Sequence, residues 1–164
     1  MNATSNIPYP SLQNHKPDEK HSQIIDQIIC TCNKKMTTIA TYLHQHWMLH
    51  PEYANISRFI FKISKVEMHH LDISGKLIIL LGGNPELMIN AHIPGMNKGS
   101  CNIHQILAEN IESEMAFAHL YRRLADLTED QYVSSMLNSL AMDEMLHAKL
   151  FTSYQARLPF VNGN

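Results

Sequence analysis

Apolar residues recur at three- and four-residue intervals along four stretches of the chain, the spacing that places side chains on one face of a helix. From about Lys20 to Leu49, the positions Ile25, Ile28, Cys32, Met36, Ile39, Tyr42, Leu43 and His46 fall on or near one stripe. His50-Pro51-Glu52-Tyr53-Ala54-Asn55 then reads as a short turn. A second helix is predicted from near Asn55 to Leu81, with Phe59, Ile60, Ile63, Glu67, His70, Leu71, Ser74 and Leu77 inward and Gly82-Gly83 at its end. A third runs from near Asn102 to Asp126 on a stripe of Leu107, Ile111, Phe117, Ala118 and Tyr121. The fourth is expected to open at Thr128, because Thr128 and Gln131 have the spacing of a capping box, and to continue to about Arg157.

The connections between these helices are short, long and short. Short links pair helices 1–2 and 3–4 antiparallel. The stretch from Gly82 to Cys101, with Pro85, Pro94, Gly95 and Gly99, is long enough to return along a whole helix, so that helices 2 and 3 run parallel. The fold class predicted is all-α, a four-helix bundle with one long crossover. Residues 1–19, with Pro8, Pro10 and Pro17, are expected to form an extended or mobile leader, 20–158 the bundle and 159–164 a polar tail.

Composition narrows the function. The chain has 164 residues, 45% hydrophobic and 17% charged, which fits a single globular domain. A net charge of −2, with basic residues scattered, argues against nucleic acid as a partner. The longest apolar run, Leu77 to Leu81, is too short for a membrane span, and no basic-then-apolar leader announces secretion. Three cysteines without a C-x-x-C pair fit a reducing, cytoplasmic setting and encode no zinc ribbon or rubredoxin-type centre. Ten Met are expected as core filler. Eleven His carry more information, since neutral imidazole ligates transition metals.

Three inner stripes are interrupted by acids. Glu67 and His70 share a face of helix 2, Glu144 and His147 repeat the same Glu-x-x-His spacing on helix 4, and Glu114 falls midway along helix 3. One such pair alone is a frequent surface coincidence. Three carboxylates in one bundle core are different, because each costs several kcal/mol to bury unless paired or metal-bound. Of the other histidines, His69 points about 100° away from His70, and His44, His50, His92, His104 and His119 fit no second motif. His46 returns to the inner stripe and is a candidate supporting residue near one end of the bundle.

The chain resembles the ferritin-like carboxylate proteins over about residues 25 to 155, specifically the rubrerythrin and small spore-coat manganese-catalase-like branch. The resemblance rests on Lys65-Val66-Glu67-Met68-His69-His70-Leu71, on Gly75-Lys76-Leu77-Ile78-Ile79-Leu80-Leu81-Gly82-Gly83-Asn84-Pro85, and on Asp143-Glu144-Met145-Leu146-His147-Ala148-Lys149-Leu150-Phe151. The leader pair Tyr9-Pro10 also looks like the start of some members. The resemblance implies two divalent metals, bridged by Glu67 and Glu144, with His70 and His147 each on one metal and Glu114 terminal on the second. The first metal would take a terminal Glu from helix 1. Here that position reads Lys35, when Lys35-Met36-Thr37-Thr38-Ile39-Ala40-Thr41-Tyr42 is laid on the family's Glu-Leu-Thr-Ala-Ile-x-Gln-Tyr. Asp26, about 13 Å toward the helix start, is too far away to replace it.

A protonated Lys has no lone pair and repels a neighbouring cation. Three carboxylates and one ammonium are neutralised by a single divalent ion. The expectation is therefore one iron or manganese ion per chain, with two as the alternative, and Lys35 standing in for the other cation. A Lys35 side chain running out to solvent is the competing structural reading. The resemblance implies peroxide or dioxygen as substrate, an external electron donor and a homodimer; the missing carboxylate implies altered or reduced oxidoreductase activity. A non-catalytic structural protein of the spore-coat type, or a Lys35 that takes part in crosslinking or amine chemistry, are the other readings.

Overall fold

The computed structural model describes residues 3–5, 9–10, 22–50, 52–87 and 102–159. Among them are four helices and no strand: α1 (Ser22–Leu49), α2 (Ala54–Leu80), α3 (Ile103–Leu127) and α4 (Gln131–Gln155). α1 packs closely along α2 and α3 along α4, whereas the α1–α3 and α2–α4 seams are sparsely packed.

The helix directions follow from which residues meet. Going up α1, Lys35 reaches Glu67 and His46 reaches Ser57, so α2 runs the other way. Tyr42 meets Glu114 and Gln45 meets Asn110, so α3 is also antiparallel to α1. Two helices antiparallel to a third are parallel to each other. α2 and α3 therefore need a connection that travels the length of the bundle, as the one-crossover topology requires. Most of the crossover expected over Gly82–Cys101, and His92 with it, lies outside the described residues.

α2 stops where glycine permits it. Gly82 has φ 87°, its N–H bonds to the Ile79 carbonyl and the Gly83 N–H to the Ile78 carbonyl, which closes the helix in a Schellman turn. A Cβ on Gly83 would sit 2.6 Å from Ile25 Cγ2, so the turn also packs against α1.

The apolar core is split in two. One cluster holds Ile28, Cys32, Leu77, Tyr121, Leu124, Leu137 and Leu140. The other holds Tyr42, Leu49, Ile60, Ile63, Leu107 and Phe151. The buried face of α1 is Ile24, Ile28, Thr31, Cys32, Lys35, Ile39, Tyr42, Gln45 and Leu49, turned slightly from the expected stripe; Ile25, Met36, Leu43 and His46 flank it half-buried.

The expected capping box at Thr128 does not form. Asp130 is the N-cap of α4, accepting from the backbone N–H of Tyr132 and Val133, while Thr128 ends α3 and its hydroxyl accepts from the Asp130 N–H. The Asp130 carboxylate carries charge to the positive helix start and sits one residue before the first helical turn, where Thr128 cannot reach. Asp130→Ala is expected to cost about 1 kcal/mol in urea unfolding, and Thr128→Ala clearly less. The reverse order would restore the capping box.

Candidate metal centre

Between the two apolar clusters all four helices place polar side chains at one level. Glu67 and His70 come from adjacent turns of α2, Glu144 and His147 from α4, Glu114 from α3 and Lys35 from α1; none is more than 1% exposed. The Lys35 stem does not run out to solvent. Its ammonium donates to Glu67 Oε2 and to Glu144 Oε1 (2.7 Å), and lies 3.9 Å from the centre of the Phe117 ring. The two acids expected to bridge metals are thus joined by a cation from α1.

Glu67, Glu114, Glu144 and His147 each offer a ligand atom within 4.8 Å of the other three. His147 Nδ1 is 2.9 Å from Glu67 Oε1, 3.4 Å from Glu114 Oε2 and 3.8 Å from Glu144 Oε2. Glu67 Oε1 and Glu144 Oε2 are buried with the His147 imidazole as their one charged neighbour among the described residues. Two buried anionic oxygens that share one imidazole nitrogen fit a divalent cation. Three carboxylates and one imidazole form a donor set that suits iron and manganese.

His70 reaches the same centre but stands outside that group of four. Its Nδ1 is 2.9 Å from Glu144 Oε1, and its Nε2 is 3.3 Å from Asp143 Oδ2 and 3.0 Å from the Tyr9 hydroxyl. Tyr9 gives its one proton to Asp143 Oδ2, so His70 Nε2 donates to Tyr9. With Nδ1 donating to a carboxylate as well, both ring nitrogens carry hydrogen and His70 is an imidazolium.

The electrostatics agree. Burial disfavours charge on Lys35 and His70, but the surrounding carboxylates, Glu144 first and Glu67 next, overcome it and raise both above their ordinary values. Burial opposes ionisation of Glu67 as well, yet Lys35 and His70 hold it well below its usual range. Glu144 is lowered against burial and the charge of Glu67, chiefly by Lys35 and His70. For Glu114, burial, then Glu67 and Glu144, outweigh the pull of His147 and push it up to about 8. His147 rises to about 10, because Glu114 and Glu67 outweigh burial. Tyr42, raised by burial and by Glu114, stays protonated and donates to Glu114.

Two features escaped the sequence reading. Asp143 is wholly buried although it precedes Glu144 and so points about 100° away from it; it faces the open α2–α4 seam, where Tyr9 and the Ser5 N–H bond to it. The segment expected as an extended or mobile leader has no helix or strand at its described residues, but it brings Ala3, Ser5 and Tyr9 onto the centre. The Asp-Glu-x-x-His run was the available signal for Asp143. His46, in contrast, takes no part in the centre: it bonds to Ser57 and stacks on Phe61, tying α1 to α2 near the turn.

The α1–α3 seam holds a cavity of about 430 Å³ lined by Thr37, Thr38, Thr41, Tyr42, Asn110 and Phe117, separated from the centre by the Tyr42 and Phe117 side chains. A larger one, about 660 Å³, lies on the outer face of α2 beside Pro85–Leu87, away from the centre.

A buried carboxylate–histidine layer inside a one-crossover helical bundle is an arrangement with a family of its own, and the model of the ferritin-like domain matches residues 25–161. The chain belongs to the ferritin-like family. No curated protein matches it, and no solved structure does. Metal binding is in keeping with a ferritin-like domain that buries a Glu/His cluster. Among its described residues, no helix is long and apolar enough to cross a membrane.

The metal-free protein is expected to be most stable in weak acid. His147 stabilises the fold fully below its ordinary 6.5 and loses that contribution as pH rises through about 10. Glu114, raised from 4.5 to about 8, adds a penalty that grows as pH rises from 4.5 and is complete by about 8. Glu67 and Glu144, both lowered, withdraw stability as pH falls below about 4.5. Chelator-treated protein should lose on the order of 5 °C in melting temperature between pH 6.5 and 9.5. A rise over that interval would contradict these assignments.

Proposed function

We propose that the protein binds one iron or manganese ion per chain through Glu67, Glu114, Glu144 and His147, as a ferritin-like protein whose paired-metal centre has become mononuclear. The observation that carries this reading is the Lys35 ammonium on both Glu67 and Glu144, with the other oxygen of each acid turned to His147 Nδ1 and gathered with Glu114 within 4.8 Å. Lys35 and the His70 imidazolium take the electrostatic place of the first metal. His70 is then a donor that holds Glu144, although the resemblance implies a ligand there.

An iron or manganese ion in the remaining position supplies a redox-active centre for peroxide or dioxygen. The residues around it determine how far such chemistry goes. Lys35 neutralises the bridging carboxylates and repels a second cation, which closes the paired-metal route to two-electron steps; weak or altered oxidoreductase activity is the consequence. Tyr42 supports the terminal ligand Glu114 from the side of the α1–α3 cavity, the approach for a small substrate such as peroxide. With no rubredoxin-type centre in the chain, electrons come from an external donor. The homodimer and the rubrerythrin-like branch belong to this reading on the same resemblance, and the cytoplasmic setting on the three cysteines without a C-x-x-C pair.

A second reading is favoured by charge balance: with Glu114 protonated, Lys35, His70 and His147 already match Glu67, Glu144 and Asp143. The bundle would then be a non-catalytic structural protein holding a salt-bridge layer. Metal analysis separates the two. The native protein purified without chelator is expected to carry one ion per chain, Lys35→Glu two and Glu114→Ala none. Two ions in the native protein would overturn the role given to Lys35. None, with a melting temperature indifferent to manganese and to chelator, would favour the structural reading.

A further inference from the structure

The two sparsely packed seams are not alike. The α1–α3 seam holds the cavity, whereas the α2–α4 seam is where Ala3, Ser5 and Tyr9 meet the centre. Ala3 packs against the apolar cluster around Tyr42 and Phe151, and Tyr9 against the one around Tyr121 and Leu137, so these residues touch both clusters, on either side of the polar layer. They bond to it at three points. The Ala3 carbonyl takes a hydrogen bond from His147 Nε2 (2.8 Å), the Ser5 N–H donates to Asp143 Oδ1 (2.5 Å), and the Tyr9 hydroxyl joins Asp143 Oδ2 (2.5 Å) to His70 Nε2.

We propose that Ala3, Ser5 and Tyr9 form an amino-terminal strap that closes the α2–α4 seam over the centre and sets the orientation of its two histidines. The chemistry of the contacts requires the second part. A carbonyl only accepts, so His147 Nε2 must carry a hydrogen, and Nδ1 is the nitrogen left to face Glu67 and Glu114. An outer partner that fixes the far ring nitrogen is the usual device for aiming an imidazole at a cation. Asp143 serves as the strap's anchor, held by one backbone and one side-chain donor and passing its charge to His70. The strap hydrogen-bonds to none of the group of four except His147. Releasing it uncovers the centre while leaving the Lys35 bridge between α1, α2 and α4 in place. The cover over the side chains stands by itself; its bearing on a bound ion rests on the function proposed above.

Hydroxyl-radical footprinting, which attacks neutral and protonated imidazoles at similar rates, tests the cover on metal-free protein, with labelled histidines identified by peptide mass. His70 and His147 are expected to react about tenfold more slowly than the exposed His119, the protection given by a closed local structure. Ser5→Pro with Tyr9→Phe removes two strap donors and should raise labelling of both histidines about tenfold, with alkylation of the buried Cys32 unchanged as a sign that the bundle stays shut. Native His70 and His147 as reactive as His119, or the same protection in the double variant, would overturn the strap. If the double variant also frees Cys32, Tyr9→Phe alone is judged by the same ratio, with His70 leading. A chelator is then used to extract manganese from loaded native and variant protein. Faster loss from the variant supports the strap as the cover of a bound ion, and equal rates overturn that part. Failure of the native protein to take up manganese would overturn the metal reading, with the labelling result still deciding the strap.

Discussion

One buried ammonium organises the interior of this bundle. Lys35 sits between Glu67 and Glu144, so a cation on α1 holds acids from α2 and α4 together. Lys35, with His70, keeps both acids ionised in a low-dielectric core, and the charge of Lys35 persists there because of them. The interaction is reciprocal. Beyond the bridge, burial and then the charges of Glu67 and Glu144 push Glu114 toward its neutral form, while Glu114 and Glu67 hold His147 toward its charged one.

This bridge explains why the core is two apolar clusters and not one. A continuous stripe of Leu and Ile would pack with less desolvation cost. The polar layer instead divides the bundle at mid-height and leaves Glu67 Oε1 and Glu144 Oε2 with the His147 imidazole as their one charged neighbour among the described residues. The layer holds four donors within reach of one point, and ferritin-like bundles place donors on facing helices in this way.

The wider seams of the bundle give the layer two faces toward the outside. On one side Tyr42 and Phe117 stand between it and a cavity lined by threonines. On the other, Ala3, Ser5 and Tyr9 bond to His147, Asp143 and His70. The same four helices thus leave one approach roomy and close the other with chain from outside the bundle.

Helical spacing alone revealed four helices and the mid-helix Glu-x-x-His pairs, because periodicity is a local property that neighbouring residues share; the lysine at the level of the acids came from the resemblance to the family's helix 1 pattern. The long connection announced a crossover, and the register of Tyr42 on Glu114 beside His46 on Ser57 accounts for it. What periodicity could not supply was the choice among equivalent neighbours. Asp130 displaced Thr128 as a cap, Asp143 turned inward beside Glu144, and Ala3, Ser5 and Tyr9, in a stretch with no pattern of its own, came to lie on the centre. Each of these depends on which groups from distant parts of the chain stand within about 3 Å, the range over which a hydrogen bond forms. The chain's own pattern determined where polar residues interrupt an apolar face; only the packing of four helices and the strap decided which of them donate, which accept and which remain free, since that depends on partners far apart in sequence.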